Sequence, residues 1–411
     1  MKSRSACAVI AFAAALVVGS GLTAQADPIS DLINPSHDPA AYLPTPLGDP
    51  WFDPPAGFEN LAPGTVLNTR SVTVPRIATP ATTTQLLFRS TDSKNRPIAA
   101  ATSVIVPTAP WTGAGPRPIA SYNIAIDSLG NTCAPSYTLP RGTAGEMDSI
   151  SDLVARNFAV VVTDYEGPRQ AYSAGLVSGH TVLDSVRAAE NHAELGLSKS
   201  SPVGITGYSG GAIASGWAAQ LAPTYAPELN IVGVAFGGAP TDYNLLHSSL
   251  NGHIGSGLYL AATAGLTREY PELGQFNNDN GRRYGLLQKD QCADVLSYAG
   301  IFMLSQEQLS ESPNSFTNPI VQKVIAENRM GGAAPKAPIF IYQGIQDVWI
   351  PKEGAEAVYD EWCAKGASVR LEETPGDHTT IGNTARPGAI AWLAQRLNGQ
   401  PAQPGCSSIG R

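Results

Sequence analysis

Gly207-Tyr208-Ser209-Gly210-Gly211 is a segment whose residues suggest covalent chemistry. A β-rich run, Val203–Thr206, precedes it, and an Ala-rich helical run, Ala212–Leu221, follows. A Gly-x-Ser-x-Gly pentapeptide between strand and helix makes a sharp turn that exposes the serine hydroxyl. Its glycines remove side chains that would clash there. The helix start offers backbone N–H groups to a developing oxyanion. Ser209 is therefore a candidate nucleophile, and a serine nucleophile needs a base that is itself oriented by a third group. The candidate bases are His37, His180, His192, His247, His253 and His378. His180 and His192 fall in a predicted helix, and His247 and His253 in a long helical insert. Only His378, in Gly376-Asp377-His378-Thr379-Thr380, lies in a loop after a predicted strand near the C-terminal end. The candidate acids Asp164, Asp242 and Asp347 each follow a predicted strand. Asp347, in Gln343-Gly344-Ile345-Gln346-Asp347-Val348-Trp349-Ile350-Pro351, could orient a histidine or cap the helix that opens near Pro351.

Strands must carry these loops. Gln85–Arg89 and Ile98–Val106 read as a hairpin around Asp92-Ser93-Lys94-Asn95. Pro118–Ile126, Phe158–Thr163, Val203–Thr206, Ile231–Phe236, Ile339–Tyr342 and Ser368–Glu372 read as further strands. Helical spacing covers Glu146–Asn157, Gly179–Leu195, Ala212–Leu221, Glu353–Ala364 and Ala389–Leu397. Such alternation predicts an α/β fold, a mostly parallel sheet with helices on both faces. Residues 27–64 are rich in Pro and aromatic residues and read as an arm laid over the body. From Thr241 to Pro335 the alternation stops, and the segment is helical. Gly257–Gly265 and Val295–Leu304 are its most apolar pieces, which suits a cap over a site. The predicted organisation is a core from 27–240 and 336–411, interrupted by a cap at 241–335.

Composition excludes several classes. The 411 residues carry Lys+Arg 26 against Asp+Glu 34, a net charge of −8. An acidic surface repels phosphate backbones, so nucleic acid is not an expected partner. No stretch beyond the N-terminus approaches the roughly 20 apolar residues that span a bilayer. Residues 1–26 show a basic start (Lys2, Arg4), the apolar run Ala8–Val18 and small residues at Ala24-Gln25-Ala26. That is the pattern of a secretory signal peptide cleaved near Ala26, so an exported protein without a transmembrane anchor is expected. Cys133, Cys292, Cys363 and Cys406 remain after cleavage, an even number suited to disulfides in an oxidising compartment. Three pairings are possible, and no Cys-x-x-Cys spacing suggests a metal site.

These motifs together resemble the α/β-hydrolase superfamily, whose nucleophile, acid and base follow one another as Ser209, Asp347 and His378 do. That order favours Asp347 over its rivals. The chain further resembles the secretory lipases typified by Candida antarctica lipase A. The likeness rests on Asp127-Ser128 followed by Cys133-Ala134-Pro135-Ser136, on Asp164-Tyr165-Glu166-Gly167, and on the helical insert. It implies Ser209 as nucleophile, Asp347 as orienting acid and His378 as base. It implies an oxyanion hole at the backbone of Asp127 and Gly210, and disulfides Cys133–Cys292 and Cys363–Cys406. Tyr165 departs from the histidine expected in yeast members. The implied activity is hydrolysis of acyl esters such as triacylglycerols, possible at a lipid–water interface, with no cofactor. An acyltransferase or an exported serine peptidase would use the same three groups. A non-catalytic binding protein on this scaffold would be expected to lack one of them, and none is lacking.

Overall fold

The computed structural model describes residues 28–411, so the signal-peptide expectation for 1–26 lies outside the described residues. Ten strands form the sheet: β1 (Val66–Val72), β2 (Ala81–Thr91), β3 (Pro97–Pro107), β4 (Ile119–Asn123), β5 (Ala159–Thr163), β6 (Val203–Tyr208), β7 (Ile231–Gly237), β8 (Ile339–Gly344), β9 (Val369–Thr374) and β10 (Ser407–Ile409). Their spatial order is β1-β2-β3-β5-β4-β6-β7-β8-β9-β10. All pairs from β5 to β10 are parallel. The β1–β2–β3 meander adds an antiparallel edge through β3 and β5.

The central strands β4, β5, β6 and β8 are buried at every residue, as parallel strands covered on both faces must be. Their side chains alternate between two cores. Val161 joins Val182, Ile213, Trp217 and Trp362 beneath the helices Gly175–Asn191, Gly210–Tyr225 and Lys352–Ala364. Val160 and Val162 join Ile150, Leu153, Ile390 and Leu393 beneath Met147–Ala155 and Arg386–Leu397.

The sequence pattern placed the interior elements well and missed several others, among them the short helix His378–Thr384, which opens on the residue read as lying in a loop. β1 is a half-exposed edge strand of mixed polarity, and β10 is three exposed residues held parallel to β9. The helix Pro135–Arg141 contains Pro140, which a sequence reading takes as a breaker.

Between β7 and β8, helices Tyr243–Leu250, Ser256–Glu269, Asp279–Gln288, Ala293–Ala299 and Pro319–Glu327 bury a core of their own, with Leu246, Tyr259, Leu266, Leu296 and Val324 at its centre. A buried cation is among the groups that fasten this segment to the body. Arg268 donates to the carbonyls of Tyr42 (3.0 Å), Leu129 (2.7 Å), Arg169 (2.9 Å), Gln170 (2.9 Å) and Lys289 (2.8 Å). Its burial pulls the guanidinium down to about 10. Cys133–Cys292 and Cys363–Cys406 are both formed, the pairings that the resemblance implies. The first lies beside the bond from Leu129 N–H to Gln291 O (3.0 Å), so the early loop and the helical segment are doubly joined.

Candidate active site

Ser209 stands between β6 and the helix Gly210–Tyr225 with φ 55° and ψ −120°. A non-glycine residue is strained there, and such strain is held only where the surroundings over-determine it. Ser209 N–H is fixed by Gly237 O at 3.0 Å. The neighbouring glycines leave no room for anything larger. A Cβ on Gly207 would lie 2.4 Å from Gly211 O, and one on Gly211 would lie 2.0 Å from Asn123 O.

The structure brings the three predicted side chains into one hydrogen-bonded row. His378 Nε2 is 2.9 Å from Ser209 Oγ. His378 Nδ1 is 2.6 Å from Asp347 Oδ2. A carboxylate can only accept, so Nδ1 carries the proton and Nε2 is free to accept from the serine hydroxyl. Asp347 is buried, and its charge is met by donors: Oδ1 accepts from Trp349 N–H (3.1 Å) and Ile350 N–H (2.8 Å). Gln343 Nε2 lies 3.3 Å from Oδ2. These bonds fold the loop after β8 around its own acid.

The rival residues are occupied elsewhere. Asp242 caps the helix Tyr243–Leu250 and pairs with Arg329. Asp164 is buried and accepts from Ser136 N–H at 2.8 Å, with desolvation pushing it up to about 7. His180 is pulled down to about 4 by burial and packs 4.2 Å from the Tyr225 ring. His247 stacks on Phe316 at 3.6 Å.

Asp127 and Gly210 adjoin the row. A Cβ on Gly210 would lie only 1.7 Å from Asp127 Oδ1. Asp127 has φ 47°, and among the described residues neither its N–H nor that of Gly210 is given to a protein acceptor. Burial pushes the Asp127 carboxyl up to about 7, against a lesser opposing pull from His378. Tyr165, the departure from the yeast pattern, holds this loop from behind. Its hydroxyl donates to Ile124 O (2.8 Å) and accepts from Ile126 N–H (3.1 Å).

Sequence reasoning missed Tyr208, the variable residue of the pentapeptide. Its hydroxyl donates to His378 O at 2.6 Å, and its ring lies 5.0 Å from the imidazole and 5.7 Å from Tyr342. The pentapeptide pattern is silent at that position, so nothing short of the fold could have found it. A cavity of about 290 Å³ opens onto Ser209 and His378, walled by Tyr172, Leu250, Leu258 and Trp349. A larger cavity of about 560 Å³ lies between the arm and the helical segment and touches neither residue.

Comparison with known proteins gives a consistent result. Residues 136–405 match the family model described as secretory lipase. Lipase 4 of Candida albicans is 35% identical over 396 residues, 90% of this chain and 85% of that protein. A Mycobacterium tuberculosis protein named "Probable inactive lipase" is 33% identical over 372 residues, 87% of this chain and 83% of that one. The solved structure of Candida antarctica lipase A in its closed state superposes with a TM-score of 0.81 at 28% identity, covering 90% of this chain and 91% of the other. The sheet and its helices are thus those of an α/β-hydrolase. The chain belongs to the secretory lipase family, and with it to the carboxylic ester hydrolases.

Proposed function

We propose that the protein is an exported lipase that hydrolyses acyl esters, triacylglycerols among them, through an acyl-enzyme on Ser209. The observation that carries this reading is the unbroken row from Ser209 Oγ through His378 to Asp347. His378 Nε2 takes the hydroxyl proton as Oγ attacks the ester carbonyl. Asp347 keeps the imidazole in the productive tautomer and stabilises the imidazolium. The N–H groups of Asp127 and Gly210 receive the oxyanion, where one such donor is typically worth about 10²–10³ in turnover. His378 then returns the proton to the leaving alcohol, and water cleaves the acyl-enzyme by the same steps. These side chains suffice for the route without a metal or cofactor.

Segment 241–335 serves as the cap, its Leu250, Leu258 and Ala293 walling the cavity above the serine. Export and the ester class are supported by relatives such as the "Secreted triacylglycerol lipase" of Malassezia restricta, 32% identical over 382 residues, 87% of this chain and 81% of that protein. No helix among the described residues is long and apolar enough to cross a membrane.

Wild type and Ser209→Ala are to be compared on nitrophenyl esters and triacylglycerols of graded chain length. The expected outcome is turnover of medium and long acyl chains by the wild type and a loss of at least about 10⁴-fold in the variant. Equal activity in the variant would overturn the site. Activity confined to acetyl and butyryl esters would leave an esterase and remove the lipase.

A further inference from the structure

The cavity of about 560 Å³ between the arm and the helical segment takes no part in the chemistry at Ser209. Its volume falls within the roughly 300–1,000 Å³ of ligand sites. Its apolar wall combines Leu43 of the arm with Leu129, Leu260, Ala264 and Leu309. The charged part of the wall has one sign. Arg96, Arg169, Arg268 and Arg282 line the cavity, and among the described residues no Asp or Glu does. This occurs in a chain whose net charge is −8.

Three of these cations stand side by side. Arg96 Nε and Arg169 Nη2 meet the same Asp92 Oδ2, at 2.7 and 2.8 Å. Arg268 Nη1 donates to Arg169 O at 2.9 Å. The carboxylates that balance Arg96, Arg169 and Arg282 stand outside the cavity lining: Asp92, Glu269, Asp279 and Glu311. Arg268 has no carboxylate of its own among the described residues, since its five acceptors are neutral carbonyls. Of the two carboxyls that act on it, Asp290 is paired with Lys289, and burial pushes Glu166 well above its ordinary range. An unbalanced buried charge is costly, and an anion beside it lowers that cost. A second polar group is also left open. Tyr284 lines the cavity, and its buried hydroxyl has no hydrogen-bond partner among the described residues. Such a group is rare in a native structure and calls for a partner.

We infer that this cavity is a second ligand site, which takes an apolar chain ending in a carboxylate. The head lies among Arg96, Arg169 and Arg268, because guanidinium groups match carboxylates in shape and charge. The chain lies against Leu43, Leu260 and Leu309. Ester hydrolysis at Ser209 would release molecules of this class. The site stands without that reaction; only the source of its ligand rests on it.

The test begins by treating the whole chain with diethyl nitrophenyl phosphate, which phosphorylates an active serine and so closes the cavity at Ser209. Decanoate is then titrated by calorimetry, below the concentration at which it forms micelles. Saturable binding of one molecule per chain is expected, with a rise in melting temperature. 1-Decanol keeps the chain without the charge and is expected to bind at least about tenfold more weakly. Acetate, the head alone, is expected not to saturate. Ala264→Phe fills the cavity from the helix Ser256–Glu269 and is expected to abolish decanoate binding. Tyr284→Phe removes only the hydroxyl and is expected to weaken it roughly threefold. Equal binding of decanoate and decanol overturns the inference. So does undiminished binding by a folded Ala264→Phe, or decanoate binding that phosphorylation of Ser209 removes. If the reagent leaves Ser209 unlabelled, the proposed function falls, and decanoate binding that Ala264→Phe abolishes still upholds the second site.

Discussion

Tyr208 ties the loop of the proposed base to the loop of the proposed nucleophile, one residue from Ser209 and bonded to the carbonyl of His378. Tyr208→Phe removes only that bond, because the ring still packs on Tyr342. A neutral hydrogen bond contributes about 1 kcal/mol net, so kcat is expected to fall roughly fivefold with KM little changed. A change in KM alone would show that Tyr208 shapes the cavity rather than the base. At this scale the sequence was legible where chemistry demands a residue type and silent where geometry does. Ser209, Asp347 and His378 follow from types and order. Asp127 came only through family likeness, since nothing in Asp127-Ser128 by itself announces a left-handed backbone against Gly210.

Arg268 matters through the elements it joins: the arm at Tyr42, the early loop at Leu129, the loop after β5 at Arg169 and Gln170, and the helical segment itself. Arg268→Met would leave five carbonyls without their donor and is expected to destabilise by about 3–5 kcal/mol. Arg268→Lys should not restore it, because a point ammonium cannot reproduce the planar fork. Urea unfolding of the three proteins checks both statements, and full rescue by lysine would mean that charge rather than geometry is what counts. The residue was invisible in the sequence because five backbone acceptors leave no side-chain signature. Elements were easiest to read at the centre, where β5 and β8 are buried throughout and open on apolar runs. They were hardest at the edges, where β1 and β10 owe their form to the neighbour they pair with.

Over the whole molecule, burial keeps carboxyls protonated at a pH where free ones ionise. Asp127 and Asp164 are pushed up to about 7 by desolvation, and Glu166 well above its ordinary value by burial and the nearby Asp127. The folded state then holds protons that the unfolded chain releases near pH 4. Their contribution to stability is complete below that pH and is lost as pH rises to about 7. The melting temperature is therefore expected to be higher at pH 5 than at pH 8. Asp164→Asn should flatten this slope, its stability relative to wild type improving by on the order of 2 kcal/mol between those two pH values. An unchanged slope would mean that Asp164 is ionised throughout.

The residue that hydrogen-bonds Ser209 lies 169 positions further along the chain. On a ribosome, β4 to β7 and the serine turn emerge long before the loops after β8 and β9 have been made. A nascent chain of this protein thus holds its alcohol without the His378 imidazole that would deprotonate it. On the proposed mechanism it stays inert towards the lipids of the cell that makes it until the loop after β9 has been made.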